Sequence, residues 1–133
     1  MKRTFLVLLS LIPALLFAQQ NAQLQDGYQQ FRYPNGNISS EGYIRNGKPD
    51  GYWKSYYVTG ILKSEGKRTS FLLDSVWVFY DQAGDTTEKI SYLLGKRNGY
   101  SFKYQKDPVY GLYLSTSELY AGDRKEGLAR IFF

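Results

Sequence analysis

The chain contains no cysteine and no histidine. Without cysteine, no disulfide braces the fold and no N-terminal thiol carries a lipid, so stability has to come from strand stacking. Without histidine, the Ser-His-Asp and Cys-His arrangements of nucleophilic catalysis are excluded. Zinc sites of the usual His/Cys kind are excluded as well. Glycines stand singly between other residues, so no glycine-rich phosphate loop occurs. Sustained helical periodicity is missing from residue 27 onward, and the frequent glycines there oppose long helices.

A strong charge of one sign is also missing. Seventeen Lys and Arg face 12 Asp and Glu. Lys2 and Arg3 belong to an N-terminal segment with a basic head, an apolar run from Thr4 to Phe17 and a small residue at Ala18. That is the three-part pattern of a secretory signal peptide, read here over 1–18. The run is shorter than the ~20 apolar residues that span a bilayer; a retained anchor is the alternative. Gln19 to Asp26 reads as a polar leader. Without Lys2 and Arg3, 15 basic residues face 12 acidic ones. Such a mild excess does not argue for nucleic acid. The expected location is outside the cell membrane: periplasmic, envelope-associated or secreted.

What the chain does have is a period of 24 residues. Gly27, Gly51, Ser75 and Gly99 mark it. A second ladder holds Gly36, Gly60, Gly84 and Gly111, and a third holds Gly47, Phe71, Gly95 and Gly122. A fixed period of this length marks a repeat architecture. The units are 27–50, 51–74, 75–98 and 99–126, with a partial unit at 127–133. The fourth unit is longer, through extra residues around Lys106-Asp107-Pro108 and within Asp123 to Glu126. Insertions of this kind belong in turns.

Each unit reads as a β-hairpin. Its first half is aromatic and β-branched, as in Tyr52 to Tyr57 or Val76 to Tyr80. A turn with a late glycine follows, as in Tyr33-Pro34-Asn35-Gly36. Second strands are expected at Ile38 to Ile44, Leu62 to Arg68, Thr86 to Leu94 and Leu112 to Tyr120. A second tight turn, as in Asn46 to Gly51 or Gly95 to Gly99, closes the unit. Short connections make neighbouring strands antiparallel. The expected fold is all-β: an elongated antiparallel meander of hairpin repeats in one twisted sheet, preceded by a signal-peptide helix.

The pattern Gly51-x-Trp53-x-x-Tyr56-x-x-x-Gly60-x-Leu62-x-x-Glu65 recurs in part. Trp77, Tyr80 and Gly84 keep step in the third unit, and Gly36, Ile38 and Glu41 in the first. With Asn46-Gly47-Lys48-Pro49-Asp50-Gly51, it resembles the bacterial variant of the MORN repeat (membrane occupation and recognition nexus), and it is similar to antitoxin-family proteins of the YwqK type. The resemblance covers Gly27 to Phe133. Ser75, Phe71 and Ser101 depart from it, and the fourth unit lacks the second-strand Glu. It implies a non-enzymatic interaction module with no fixed ligand. Some members look lipid-associated, others bind proteins, and the antitoxin label implies a toxin partner.

Among individual residues, Glu41 and Glu65 hold equivalent places about one repeat, roughly 10 Å, apart. That is beyond the range of about 6.5–9.5 Å for inverting glycosidases, and they read as solvated strand residues. No catalytic residue, metal ligand or cofactor is expected. Tyr56, Tyr80, Tyr104 and Phe132 share one place, with Arg32 there in the first unit. Trp53 and Trp77 share another, on the opposite face. Such aromatics are cross-strand packing first and a recognition surface second. Lys48, Lys96, Arg97, Arg124 and Lys125 are expected in equivalent turns along one edge. The partner-binding candidates are therefore Trp53, Tyr56, Trp77, Tyr80, Tyr104, Lys96, Arg97, Arg124 and Lys125. A protein partner with an immunity-like role is the first reading. A cell-envelope glycan or an anionic lipid surface is the alternative. The segment Leu128 to Phe133 reads as an uncapped last strand open to self-association.

Overall fold

The computed structural model describes residues 24–133. The expected signal peptide and most of the polar leader lie outside the described residues. Nine strands follow one another: β1 (Gly27–Arg32), β2 (Ile38–Arg45), β3 (Lys48–Tyr56), β4 (Leu62–Thr69), β5 (Leu72–Tyr80), β6 (Thr86–Leu93), β7 (Lys96–Asp107), β8 (Gly111–Ala121) and β9 (Arg124–Ile131). Each pairs antiparallel with its sequence neighbours in one open sheet of order β1 to β9. No helix occurs among the described residues, so the all-β meander read from the sequence is what forms.

The two long edges of the sheet are built from two kinds of turn. On one edge, Tyr33, Tyr57 and Asp81 each open a tight loop. Each accepts from a glycine N–H three residues on and donates to a carbonyl four residues on, at 2.8–3.0 Å. On the other edge, two residues turn the chain at Asn46-Gly47, Ser70-Phe71, Leu94-Gly95 and Gly122-Asp123, all with positive φ. That is the type I′ geometry whose twist suits a β-hairpin. Successive turns on this edge are tied together. Phe71, Gly95 and Asp123 donate N–H bonds of 2.6, 2.7 and 2.9 Å to the carbonyls of Pro49, Leu73 and Arg97. Side chains add a parallel ladder: Gly47 N–H donates to Asp26, Ser70 N–H to Asp50 and Gly122 N–H to Asn98.

These turns are shorter than expected. Lys48, Lys96, Arg97, Arg124 and Lys125 are therefore not turn residues; they open strands β3, β7 and β9. The last strand begins at Arg124 rather than Leu128 and ends at Ile131. The longer fourth unit extends its hairpin into strands of 12 and 11 residues, with Pro108 to Tyr110 at the tip.

A regular irregularity decides where the core lies. Gly42 pairs with Trp53, but Ile44 pairs with Pro49, so one residue of β2 faces three of β3. The same bulge recurs between β4 and β5, β6 and β7, and β8 and β9. Gly51 and Ser75 take up the left-handed backbone it requires, at φ 88° and 59°. Beside it the indole Nε1 of Trp53 donates to the Tyr43 carbonyl at 2.9 Å. Trp77 repeats this on the Lys67 carbonyl at 2.8 Å. Each ring lies flat on a glycine of the preceding strand. A Cβ at Gly42 or Gly66 would come within 2.5 Å of the indole carbons. Trp53 and Trp77 are 6% and 3% exposed and, with Ile44, form the core. Phe31 stacks on Trp53 and Phe79 tilts against Trp77, both at 6.4 Å. The Arg68 guanidinium covers Trp77 at 5.2 Å.

The third repetition inverts the sizes. Ile90 stands where Gly42 and Gly66 stand, and Ser101 where the tryptophans stand. Bulk has moved to the other strand of the pair, and the buried Ser101 hydroxyl has no hydrogen-bond partner among the described residues. Transplanting that pair tests whether the two positions form one packing unit. Trp77→Ser alone should cost about 3–5 kcal/mol in denaturant unfolding. Gly66→Ile alone should also destabilise, through the ring clash. The double variant should be more stable than the sum of the two losses by about 0.5–3 kcal/mol, the range for residues in contact. Strict additivity would refute the packing-unit reading.

Candidate functional site

Alternation along each strand gives the sheet two unlike faces. The indoles, Phe31, Phe79 and Arg68 cover one. The other carries a tyrosine lattice. Tyr56 donates to the Glu41 carboxylate at 2.5 Å, and Tyr80 to Glu65 at 2.7 Å. Gln30 adds a bond to Glu41 at 2.8 Å. The spacing of 15 residues from acid to phenol is the same in both units. Glu41 and Glu65 are thus not freely solvated, as the sequence suggested; each is a half-buried acceptor for tyrosine hydroxyls. Tyr104 continues the row on β7, with the Lys89 ammonium 5.8 Å from its ring centre.

The electrostatics follow from this geometry. The Tyr56 hydroxyl, then the Gln30 amide, then the Tyr28 hydroxyl hold the Glu41 carboxyl below its usual range. Burial first, and the hydrogen bond to Glu41 second, push the Tyr56 phenol up. The same two causes, with Glu65 as acceptor, push Tyr80 up to about 12.

A second row runs across the same face. Tyr28, Tyr52, Val76, Tyr100 and Leu128 each follow the residue that starts a unit. They lie on β1, β3, β5, β7 and β9, and all are at least half exposed, Tyr52 at 54%. Tyr43 on β2 joins them, edge-on to Tyr28 at 5.2 Å. Tyr100 stacks on Phe102 at 5.8 Å and 12°. Leu128 was read from the sequence only as part of the segment open to self-association, and the others were not among the partner-binding candidates. The signal was present, because Tyr28, Tyr52, Val76 and Tyr100 keep the same 24-residue step, but the tryptophans and the Tyr56 ladder are the more conspicuous residues.

The candidates drawn from the sequence fall into different environments. Trp53 and Trp77 sit in the core and leave almost no surface for a partner. Tyr56, Tyr80 and Tyr104 share the tyrosine face but are half-buried. Arg97 and Lys125 are tied down. The Arg97 guanidinium lies 3.3 Å from Asp123 and 4.3 Å over the Tyr120 ring, and Lys125 meets Glu118 at 2.7 Å. Lys96 and Arg124 are exposed and make no ion pair among the described residues. The four therefore line one edge but do not form a uniform free row. β9 is exposed along its whole length.

No deep chemical pocket accompanies the lattice among the described residues. A shallow hollow of about 430 Å³ is lined by Asp26, Arg45 and Asp50. Asp26 and Asp50 accept backbone N–H bonds, and Asp50 also pairs with Arg45 at 3.4 Å. The acids there are occupied in holding turns together. The chain matches no family model and no curated protein.

The tyrosine–glutamate bonds give a pH signature. Tyr80→Phe should cost about 1 kcal/mol at neutral pH, the scale of one hydrogen bond. Tyr80 has a raised pKa, so its contribution is complete below the ordinary phenol pKa of 10.0 and disappears as pH climbs to about 12. The gap between parent and variant melting temperatures should close over that interval. Glu41 has a lowered pKa, so the gap for Tyr56→Phe should instead close as pH falls from 4.5 downward. Gaps that stay constant with pH would show that these bonds do not stabilise the fold.

Proposed function

We propose that the chain is an exported, non-enzymatic binding module that engages a protein partner across its tyrosine face. The observation that carries this reading is the exposed row Tyr28, Tyr43, Tyr52, Val76 and Tyr100. It crosses seven strands of a sheet whose described residues supply no second layer over it. An exposed apolar patch of this extent marks an interaction surface, and tyrosine is enriched in interface hot spots. The MORN-like assignment of the units, export by the segment 1–18 and an immunity-like role against a toxin belong to the same proposal. The recurrence of the bulge, the indole bond and the tyrosine–glutamate bond at the 24-residue step supports the first of these.

A second reading, a cell-envelope glycan or an anionic lipid surface, draws on the charge of β7 to β9. From Lys96 to Phe133 seven basic residues face four acidic ones. Capture from an envelope extract separates the two. A single enriched protein, lost when Tyr52 and Tyr100 are both changed to Ser, supports the first. Sedimentation with anionic liposomes, lost when Lys96, Arg97, Arg124 and Lys125 are neutralised, supports the second and displaces the first. Self-association through the open β9 edge is a separate proposal. Light scattering should find a dimer that Ile131→Pro returns to monomer, because proline removes a ladder donor. A monomer at all concentrations rejects it.

A further inference from the structure

We infer that the ligand of the tyrosine face is an extended proline-rich segment in polyproline II conformation, lying across the strands; this rests on the protein-binding reading above. Spacing favours such a ligand. Tyr28, Tyr52, Val76 and Tyr100 occupy alternate strands, which places successive rungs roughly 9.6 Å apart. One polyproline II turn of three residues advances about 9.3 Å. Each turn of such a segment meets the next rung. Neighbouring strands rotate by about 20–25°, so a stiff segment engages two or three rungs.

Hydrogen-bond complementarity favours it too. The carboxylates of this face are consumed: Glu41 accepts from Tyr56 and Gln30, and Glu65 from Tyr80. Lys54 and Lys67 stand on the same face, opposite Glu41 and Tyr52. The face therefore offers two cationic donors, Lys54 and Lys67, with no ion-pair partner among the described residues. Proline lacks the backbone N–H, and polyproline II leaves its carbonyls without internal partners. Those carbonyls can accept from the two ammonium groups.

The rings are also presented in a suitable way. Tyr28 and Tyr43 meet edge to face, and Tyr100 and Phe102 lie flat against each other. Aromatic rings side by side on one face are the kind of lining that polyproline segments dock against in other readers.

Calorimetric titration tests the inference, using the whole chain with a nonaproline peptide, a Gly-Ser peptide of equal length and a soluble β-linked hexasaccharide. Saturable binding is expected for nonaproline alone. Tyr52→Ser should weaken it by about tenfold, the loss of one aromatic anchor. Lys54→Met and Lys67→Met should each weaken it several-fold. Tyr110→Ser, at a still more exposed tyrosine on the tip between β7 and β8, should leave it unchanged. Melting curves matching the parent certify that each variant is folded. If nonaproline does not bind while the captured protein partner still does, the polyproline inference falls and the protein-binding reading survives. Binding indifferent to Tyr52→Ser, or preference for the hexasaccharide, also overturns the inference.

Discussion

Two indole rings laid on two glycines hold this thin sheet together. Among the described residues the sheet has no opposing layer to bury against, so its shielding comes from side chains that lean across their own neighbours. Indole is suited to this because it is broad and flat, and its N–H binds the carbonyl that the bulge beside it exposes. Burying a large apolar side chain contributes about 1.5–3 kcal/mol, and Trp53 and Trp77 are 6% and 3% exposed. Glycine at 42 and 66 is a steric necessity, because any Cβ there occupies the space of the ring. The bulge, the left-handed residue that opens each unit and the indole are one device. The Ile90–Ser101 pair shows that the device tolerates an exchange of bulk between strands and no simple enlargement.

On the opposite face the same problem has a polar solution. Tyrosines lie over their neighbours, and glutamates fix their hydroxyls. This occupies the two carboxylates and leaves Lys54 and Lys67 as cationic donors on the face. The rows differ in purpose. Tyr56 and Tyr80 are half-buried with their hydroxyls bonded to glutamates and Tyr104 is half-buried, whereas Tyr28, Tyr52 and Tyr100 keep about half of their surface in solvent. Stability and the proposed recognition are carried by residues four apart along one strand, such as Tyr52 and Tyr56.

Much of the architecture was legible in the sequence. Singly spaced glycines at a constant step announce hairpins, and short connections force antiparallel neighbours, so the strand order followed directly. Turn length was not legible. Asn46-Gly47 is a strong type I′ signal, yet Ser70-Phe71 and Leu94-Gly95 adopt the same backbone with less suitable residues. Their conformation is imposed by the bonds from one turn to the next, which a local pattern does not contain. For the same reason the basic residues moved from turns into strands. The exposed row was hidden on different grounds. Trp53 and Trp77 are the most conspicuous residue types, and size alone does not say which side chain is buried. The residue after each bulge is set by geometry: the bulge turns it outward, whatever its type.

Backbone pairing here is wholly between sequence neighbours, since each strand pairs only with the one before and the one after. In such an array stability is close to a sum of unit terms and junction terms. That separates the two faces functionally. Exposed rungs such as Tyr52 or Val76 make few of the junction contacts, so they are free to vary with the ligand. The indole positions are not free, because each belongs to two strands at once. A surface that changes while its frame stays fixed is what a recognition scaffold requires. Here the alternation of a β-strand supplies it: the indoles that form the core and the tyrosines offered to a partner point in opposite directions from neighbouring residues, as Trp53 and Tyr52 do.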